Sequence, residues 1–274
     1  MALVPPGYLN AVVALGHQLH DLPVRFIATG FLYGYPREID PSDGQRWYTT
    51  FLVTNRHVVE GVDSLLARFD RQADGETQVV PLPLEHPDGS KLWTTHPGGA
   101  DIAIVPISVN TLRDENIRFE VFQGDNNAIS KQQAAEQGIG EASGVFVLGF
   151  PLGLAGEERN YAIVRQGIIA RAQDWLNGTS DHFLIDSSVF PGNSGGPVLT
   201  KPETVSIKNT QSFMRCVLIG MVSSYIPYLE EGVSNQTGQV RMRFEENSGL
   251  AVVIPVDQID ETIVHRLTYD SSEQ

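Results

Sequence analysis

Residues 190–197, with the sequence FPGNSGGP, constrain the fold most, because three glycines and two prolines surround one hydroxyl nucleophile, Ser194. Glycine lacks a Cβ, so the backbone can turn sharply here and a substrate carbonyl can approach the main chain. Backbone N–H groups in such a turn can point at a developing oxyanion. Gly, Asn, Ser and Pro are also the ordinary residues of turns, so the segment alone is equally typical of a simple turn.

Two further blocks favour the catalytic interpretation. Residues 51–59, FLVTNRHVV, form an apolar run that leads to His57, and Asp101 opens the apolar run 101–106, DIAIVP. Taken singly, His57 could be a core histidine after a strand and Asp101 a turn residue at a strand start. Together they give the chain order His57, Asp101, Ser194, one of the orders in which Ser–His–Asp hydrolases arrange their triad.

The blocks TNRHVV (54–59), DIAI (101–104) and GNSGGP (192–197) resemble the three signature blocks of trypsin-like serine peptidases, most closely the bacterial HtrA/Deg-type peptidase domain. The resemblance covers roughly residues 22 to 268. It implies an all-β fold, a chymotrypsin-like double six-stranded β-barrel with short N-terminal and C-terminal helices. Four more segments resemble strands of that family's second barrel: VLGFPLG (147–153), QGII (166–169), IGMVS (219–223) and GLAVVIP (249–255).

The alternation of short β-type runs with turns predicts the domain organisation. An amphipathic helix is expected over residues 8–20 and another over residues 256–267. The polar stretches 35–45 and 226–248 are interpreted as loops. The predicted units are an N-terminal helical segment (1–21), a first barrel (22–108), a linker with a short helix (109–143), a second barrel (144–256), and a C-terminal helix and tail (257–274).

Composition limits the partners. The 274 residues suffice for two small barrels, and the net charge of 19 − 33 = −14 disfavours nucleic acids and anionic membranes. The single cysteine, Cys216, lies in an apolar run and is interpreted as a buried hydrophobe, which fits a reducing compartment. No basic leader or membrane-length apolar run is visible, so a cytoplasmic location is expected. The sequence leaves the oligomeric state open.

The chemistry follows from the three side chains. Ser194 is a weak nucleophile until a base takes its proton, and His57 has the ring chemistry for that work. Asp101 would fix the imidazole tautomer and stabilise the imidazolium. The resemblance implies that the N–H groups of Gly192 and Ser194 form the oxyanion hole and that Ser223 supports Asp101. Protein or peptide substrates are expected, with no cofactor and no metal.

Two departures from relatives are visible. Asn193 stands where digestive proteases carry an aspartate that pairs with a newly cut N-terminus, so proteolytic activation of that kind is not expected. HtrA-type relatives also have Asn at this position and switch by ordering of loops. The chain leaves no room for the PDZ domains that such relatives typically carry.

The substrate pocket is predicted from the same resemblance. Its base would be Ser188, and its wall Ser224 and Tyr225. No carboxylate occupies the base, so Arg or Lys at the P1 position is disfavoured and a small or medium apolar residue is favoured.

Two alternatives use the same residues. The domain could be latent, or catalytically silent and a binding scaffold for partners, since a fold does not guarantee activity. It could also be an esterase that acts on non-peptide substrates. The orientation of the backbone between Pro191 and Asn193 distinguishes a ready site from a latent one.

Overall fold

A computed structural model describes residues 2–18, 22–39, 44–73, 75–208 and 210–272, and shows two β-rich halves followed by a C-terminal helix. The N-terminal half contains a 3₁₀ helix (Pro6–Ala11), β1 (Val12–His17), β2 (Arg25–Ile39), β3 (Arg46–Thr54), α1 (Arg56–Val59), β4 (Ser64–Arg71), β5 (Thr77–Pro83), β6 (Thr94–Thr95) and β7 (Ala103–Pro106).

A connecting stretch and the second half complete the chain. The connection contains α2 (Val109–Asp114), β8 (Ile117–Arg118), β9 (Phe122–Gln123) and α3 (Lys131–Glu136). The second half contains β10 (Gly144–Gly149), a 3₁₀ turn (Pro151–Gly153), β11 (Ile163–Arg171), α4 (Gln173–Leu176), β12 (Phe183–Asp186), β13 (Pro197–Thr200), β14 (Leu218–Val233), β15 (Val240–Pro255) and finally α5 (Val256–Ser272).

The two halves confirm the chymotrypsin-like double-barrel fold, but they are closed to different degrees. The second half is a closed barrel in the order β10-β11-β12-β15-β14-β13. The first half is a nine-stranded sheet with the main order β5-β4-β1-β2-β3-β7-β6, to which β8 and β9 add at the side. Among the described residues, no strand pairing joins β5 to β7, so the first sheet stays open between them.

Alternation along the strands divides the apolar residues among three clusters. On β3, Leu52 faces the core of the first sheet, whereas Phe51 and Val53 face a central cluster shared by both halves. The core of the second barrel forms a third cluster, which contains buried residues such as Val147 and Ile185. The central cluster packs the two halves together and so determines how their strand ends meet.

The helix predicted over residues 8–20 is wrong for most of its length. Only Pro6–Ala11 is helical, as a 3₁₀ helix, and Val12–His17 is strand β1, paired with β2 on one side and β4 on the other. Val12 to Leu15 are all buried, and a short continuous apolar run does not distinguish a buried strand from a buried helix. The first sheet therefore begins at residue 12 and not at 22. Residues 1 and 19–21 of the predicted N-terminal segment lie outside the described residues.

The stretch 226–248, interpreted as a loop, is instead the continuation of β14 and β15. Residues 226–233 and 240–248, here called the β-arm, pair from Pro227↔Asn247 to Val233↔Val240. Both faces of the β-arm are exposed, although residues 240–245, VRMRFE, alternate apolar and charged side chains. This alternation was the available strand signal, and the sequence interpretation missed it. Residues 35–39, also predicted as loop, extend β2.

No helix in the described part of the chain is both long and apolar enough to cross a membrane.

Candidate active site

The end of β3 and a one-turn helix present His57. Asn55 precedes helix α1, and its side-chain Nδ2 donates a 2.8 Å hydrogen bond to the carbonyl oxygen of Asp101. Val58 and Val59 anchor the short helix in the first core, while the His57 side chain is 52% exposed. The local sequence therefore buries the valines and leaves the imidazole at the surface between the two halves.

Asp101 lies immediately before β7, within reach of His57. Its Oδ2 is 2.7 Å from His57 Nδ1, and its Oδ1 accepts the His57 backbone N–H at 3.1 Å. Ser223 Oγ donates to the same Oδ2 at 3.1 Å. Burial raises the pKa of Asp101, but the hydrogen bonds from His57 and Ser223 outweigh it and leave this pKa below its usual value. The carboxylate is thus ionised at neutral pH and can hold the imidazole in one orientation.

The turn before Ser194 has a defined backbone orientation. Asn193 N–H donates to the Phe190 carbonyl at 2.9 Å, and Gly192 has φ +100°. The Pro191 carbonyl accepts the N–H of Leu152 at 2.7 Å. Because a trans peptide carries its C=O and N–H on opposite sides, the N–H of Gly192 points away from Leu152. Within the described residues, neither this N–H nor that of Ser194 has an acceptor, so both are free to bind an oxyanion.

Two glycines of this turn cannot be replaced without moving the backbone. A Cβ on Gly192 would lie 2.4 Å from the carbonyl oxygen of Phe150, and a Cβ on Gly195 would lie 2.1 Å from that of Thr29. Both residues also have positive φ, a region that L-residues with a side chain rarely adopt.

Thr29, on β2, holds the turn from the first half, and the sequence interpretation missed it. Its Oγ1 donates to the Gly192 carbonyl at 2.6 Å and accepts the Phe150 N–H at 3.0 Å. Its backbone N–H donates to the Ser194 carbonyl at 2.9 Å. Thr29 is fully buried, and the available signal was a polar side chain in an otherwise apolar strand.

The sequence interpretation also missed the structural role of Leu152. It adopts φ +57° and ψ 20°, a left-handed conformation that is uncommon for leucine, and its side chain is 65% exposed. This conformation places its N–H against the Pro191 carbonyl, so a strained backbone restrains the Pro191–Gly192 peptide.

Ser194 lies between the two halves. The next residue, Gly195, is packed so closely on Thr54 that a Cβ there would be 3.1 Å from Thr54 Cα. On the other side, Gly195 N–H donates to the carbonyl of Val222, the neighbour of Ser223. Ser194 Oγ makes no hydrogen bond to any described residue. Contacts of this kind are often loose in an unliganded site and tighten when substrate binds.

The predicted pocket residues gather where the β-arm leaves the barrel. Ser188 and Ser224 are exposed, and Tyr225 is half-buried, with its hydroxyl donating to Glu245 of the β-arm. Asn247 Nδ2 donates to the Val189 carbonyl, which ties the β-arm to the segment that carries Ser188. The sequence interpretation did not name Asn247, and it placed Glu245 in a loop, because it treated residues 226–248 as a loop.

A groove of about 700 Å³ adjoins the turn on the side of Leu152. Its lining includes Arg25, Phe26, Leu152, Pro191 and Gly192. The turn is therefore open to solvent on its Pro191 and Gly192 side.

Cys216 is buried, as predicted. Burial raises the pKa of its thiol to about 12, so almost no thiolate is present at neutral pH. A thiol in this state is not a nucleophile.

Comparisons with known proteins bear on the family and the fold of the chain. A family model described as the trypsin-like peptidase domain matches residues 12–205. A search of curated proteins finds no match. An atomic-resolution structure of HBP covers 97% of this chain and 95% of its own, with a TM-score of 0.52 and 9% sequence identity, a likeness that concerns the fold alone. Since the matched residues make up well over half of its length, the chain belongs to the family of trypsin-like peptidase domains.

Proposed function

We propose that this protein is a serine endopeptidase that cleaves peptide bonds through an acyl-enzyme on Ser194. The observation that carries the proposal is the Pro191–Gly192 peptide. Its carbonyl is bound by Leu152, and the N–H groups of Gly192 and Ser194 are left without acceptors in the described part of the chain. A latent site would instead have the Gly192 N–H turned away from the position of an oxyanion.

Each residue of the site has its own role in the proposed reaction. Ser194 Oγ attacks the carbonyl carbon while its proton moves to Nε2 of His57, and the Gly192 and Ser194 N–H groups stabilise the oxyanion. Asp101 holds the proton of His57 Nδ1 and stabilises the imidazolium. The imidazolium then protonates the leaving amine, which departs with the C-terminal product and leaves an ester on Ser194. Water, deprotonated by His57, hydrolyses this ester and restores the free hydroxyl.

Within the family, we propose a site of the HtrA type that needs no cut N-terminus. Asn193 is fully buried, and its Oδ1 accepts the Phe190 N–H at 3.2 Å, so its side chain stabilises its own turn. An aspartate at this position would need the ammonium group of a newly cut N-terminus as its partner, so the order of the turn would depend on cleavage elsewhere in the chain. The contacts of Thr29 and Leu152 support the same conclusion, since both hold the turn from outside it.

For the substrate, we propose an apolar residue of small or medium size at P1. Ser188, Ser224 and Tyr225 carry no charge, and the Tyr225 hydroxyl donates to Glu245 of the β-arm. A basic P1 side chain would therefore meet no carboxylate among the three proposed pocket residues.

Labelling by a fluorophosphonate probe, with intact protein and with Ser194→Ala, tests the proposal. The probe should modify the wild type and leave Ser194→Ala unmodified, because loss of a triad serine costs about 10⁶ in kcat. Ser206→Ala is a matched control that should retain labelling, since Ser206 is an exposed serine between β13 and β14, outside the proposed site. Labelling of Ser194→Ala, or none of folded wild type, would contradict the proposal; the second result favours a latent or scaffold domain.

Peptide substrates then separate a peptidase from an esterase. We expect hydrolysis of internal peptide bonds after apolar residues, abolished in Ser194→Ala. Labelled protein that hydrolyses only small esters, with every peptide of a library intact, would favour the esterase.

A further inference from the structure

The opening in the first sheet contains an apolar cavity that the proposed peptidase reaction does not use. The cavity has a volume of about 300 Å³ and lies between β5 and β7, which do not pair with each other in the described part of the chain. Leu82 and Val105 line its two sides, Leu52 and Phe69 belong to its inner wall, and Leu112 of α2 lines it from the connection. We call it the first-sheet pocket.

The residues that line the first-sheet pocket determine which class of ligand it can bind. None of the lining residues is charged, and only Ser108 and Thr111 carry polar side chains. A charged group buried here would lose its water without gaining an ionic partner, which is strongly unfavourable. Thr111 Oγ1 has no hydrogen-bond partner among the described residues, and Ser108 Oγ accepts only the Thr111 N–H, at 3.2 Å. Both residues are exposed, so a neutral ligand oxygen can replace the water that otherwise solvates their hydroxyls.

An added peptide strand fits the opening poorly. Pro81 and Pro83 on β5, and Pro106 on β7, lack the N–H that a further strand needs for pairing. The parts of β5 and β7 that line the opening are thus poor in donors, so side-chain contacts and not a β-ladder must hold an occupant.

The size of the cavity sets the length of the ligand. One water molecule takes roughly 30 Å³ of liquid, so 300 Å³ accommodates a chain of about ten carbon-sized atoms. We propose that the first-sheet pocket binds a small, uncharged, apolar molecule: an alkyl chain of about ten carbons that ends in a hydroxyl or ester oxygen.

The position of the pocket connects it to the active site, on the assumption that the proposed function holds. Leu52 and Val105 are direct partners in the β3–β7 ladder, and both line the pocket. The strand with Leu52 leads to His57, and Asp101 stands just before the strand with Val105. A ligand that packs on both residues contacts the two strands that hold the His57–Asp101 pair, so occupancy should change the rate of acylation.

Thermal unfolding of the full chain with 1-decanol tests binding, with decanoate as the charged comparison. At about five times its Kd, decanol should raise the Tm by about 2–4 °C, and decanoate should raise it less. Val80→Trp is designed to fill the pocket, because Val80 lines it opposite Ala67, and should abolish the shift. Val79→Trp, on the outward face of the same strand, should keep it.

Each other result has a definite meaning. No shift in the wild type, or the same shift in Val80→Trp, overturns the site, and an equal shift with decanoate overturns the uncharged class. If Val80→Trp does not fold, Leu112→Ala replaces it: the enlarged pocket should prefer dodecanol to decanol, and an unchanged preference contradicts the proposal.

A second readout separates this inference from the proposed function. Decanol should change the rate constant of fluorophosphonate labelling at least about twofold in wild type and Val79→Trp, with no change in Val80→Trp. An unchanged rate constant despite a Tm shift overturns the link to the active site and leaves the binding site supported. A Tm shift without any labelling supports the pocket and refutes the peptidase.

Discussion

The second barrel encloses its core by strand pairing all the way round, whereas the first sheet leaves β5 and β7 apart and places α2 beside the gap. Full closure leaves a barrel no free edges. The first sheet keeps two edges and an apolar opening. The two halves contribute different groups to the candidate site. The second barrel contributes backbone groups, and the first sheet contributes side chains at strand ends.

The two contributions to the candidate site follow this difference. The first sheet supplies His57 and Asp101, whose interaction is between side chains. The second barrel supplies the Gly192 and Ser194 N–H groups, whose direction depends on backbone hydrogen bonds. Side-chain substitutions should therefore damage the first contribution, and substitutions that change the backbone should damage the second.

The largest effect is expected for Asp101→Asn in the first sheet. The asparagine amide favours the wrong imidazole tautomer, so kcat should fall by about 10⁴. Steady-state kinetics on a peptide substrate measures the loss. Ser223→Ala is the matched control, since it removes one hydrogen bond from Asp101 and keeps the carboxylate, and its loss should be about tenfold. Equal losses in both variants would show that packing at this corner, and not the carboxylate, matters.

In the second barrel, Leu152→Pro should have the next largest effect. Proline has no N–H for the Pro191 carbonyl and cannot adopt φ +57°, so the Pro191–Gly192 peptide loses its restraint. Loss of one oxyanion donor costs about 10²–10³ in kcat.

The paired variant Leu152→Gly keeps the N–H and adopts positive φ without strain, so it should stay within about threefold of wild type. Labelling rates and circular dichroism of both variants distinguish a misplaced peptide from a misfolded barrel. Inactivity of Leu152→Gly would mean that the leucine side chain, and not the backbone, is required.

The contact between α5 and the first sheet is expected to make a contribution to the free energy of unfolding that depends on pH. Tyr33 on β2 donates a 2.8 Å hydrogen bond to Asp260 Oδ1 on α5. Burial, aided by the nearby Asp257 carboxylate and opposed by the bond from Tyr33, raises the pKa of Asp260 to about 6. The folded protein then holds this proton more tightly than the unfolded chain. The stabilisation is complete below about pH 4 and is lost as the pH rises through about 6.

Asp260→Asn removes this titration. The free energy of unfolding of wild type minus that of the variant should fall by about 2–3 kcal/mol between pH 4 and pH 7, as measured by urea unfolding. Glu246→Gln, an exposed residue of the β-arm, should show almost no such slope. If the difference in unfolding free energy between wild type and Asp260→Asn does not change with pH, burial does not raise the pKa of Asp260.

The smallest effect is expected where the two halves meet, at Thr29. Thr29→Val keeps the shape and removes the hydroxyl that binds the Gly192 carbonyl, so the labelling rate should fall by about tenfold. Thr29→Ser keeps the hydroxyl and should retain most of the rate. If Thr29→Val labels normally, the turn of the second barrel orders itself without help from the first sheet.

Much of the site could be predicted because its residues are close in sequence to recognisable blocks. His57, Asp101 and Ser194 each lie in a short segment whose apolar run or glycines reveal the local structure, and the structure brings His57 and Asp101 to 2.7 Å across 44 positions of sequence. Thr29 and Leu152 could not be predicted in this way. Their roles depend on backbone groups more than a hundred residues away for Thr29 and 39 positions away for Leu152, and the chain gives no local sign of such contacts.

The sequence by itself determined the order of the catalytic candidates, the glycine-rich turn at Ser194 and several strands, because these follow from local residue types and from the period of apolar residues. The close packing that requires glycine at 192 and 195 comes from the carbonyl groups of Phe150 and Thr29, which only the folded chain brings near. Tertiary structure decided that residues 12–17 form a strand, that the β-arm is paired, and that the first sheet stays open beside an apolar pocket. The physical reason is that burial and strand pairing are properties of both partners. One segment shows which face it could bury, but only the folded chain supplies the surface that covers it.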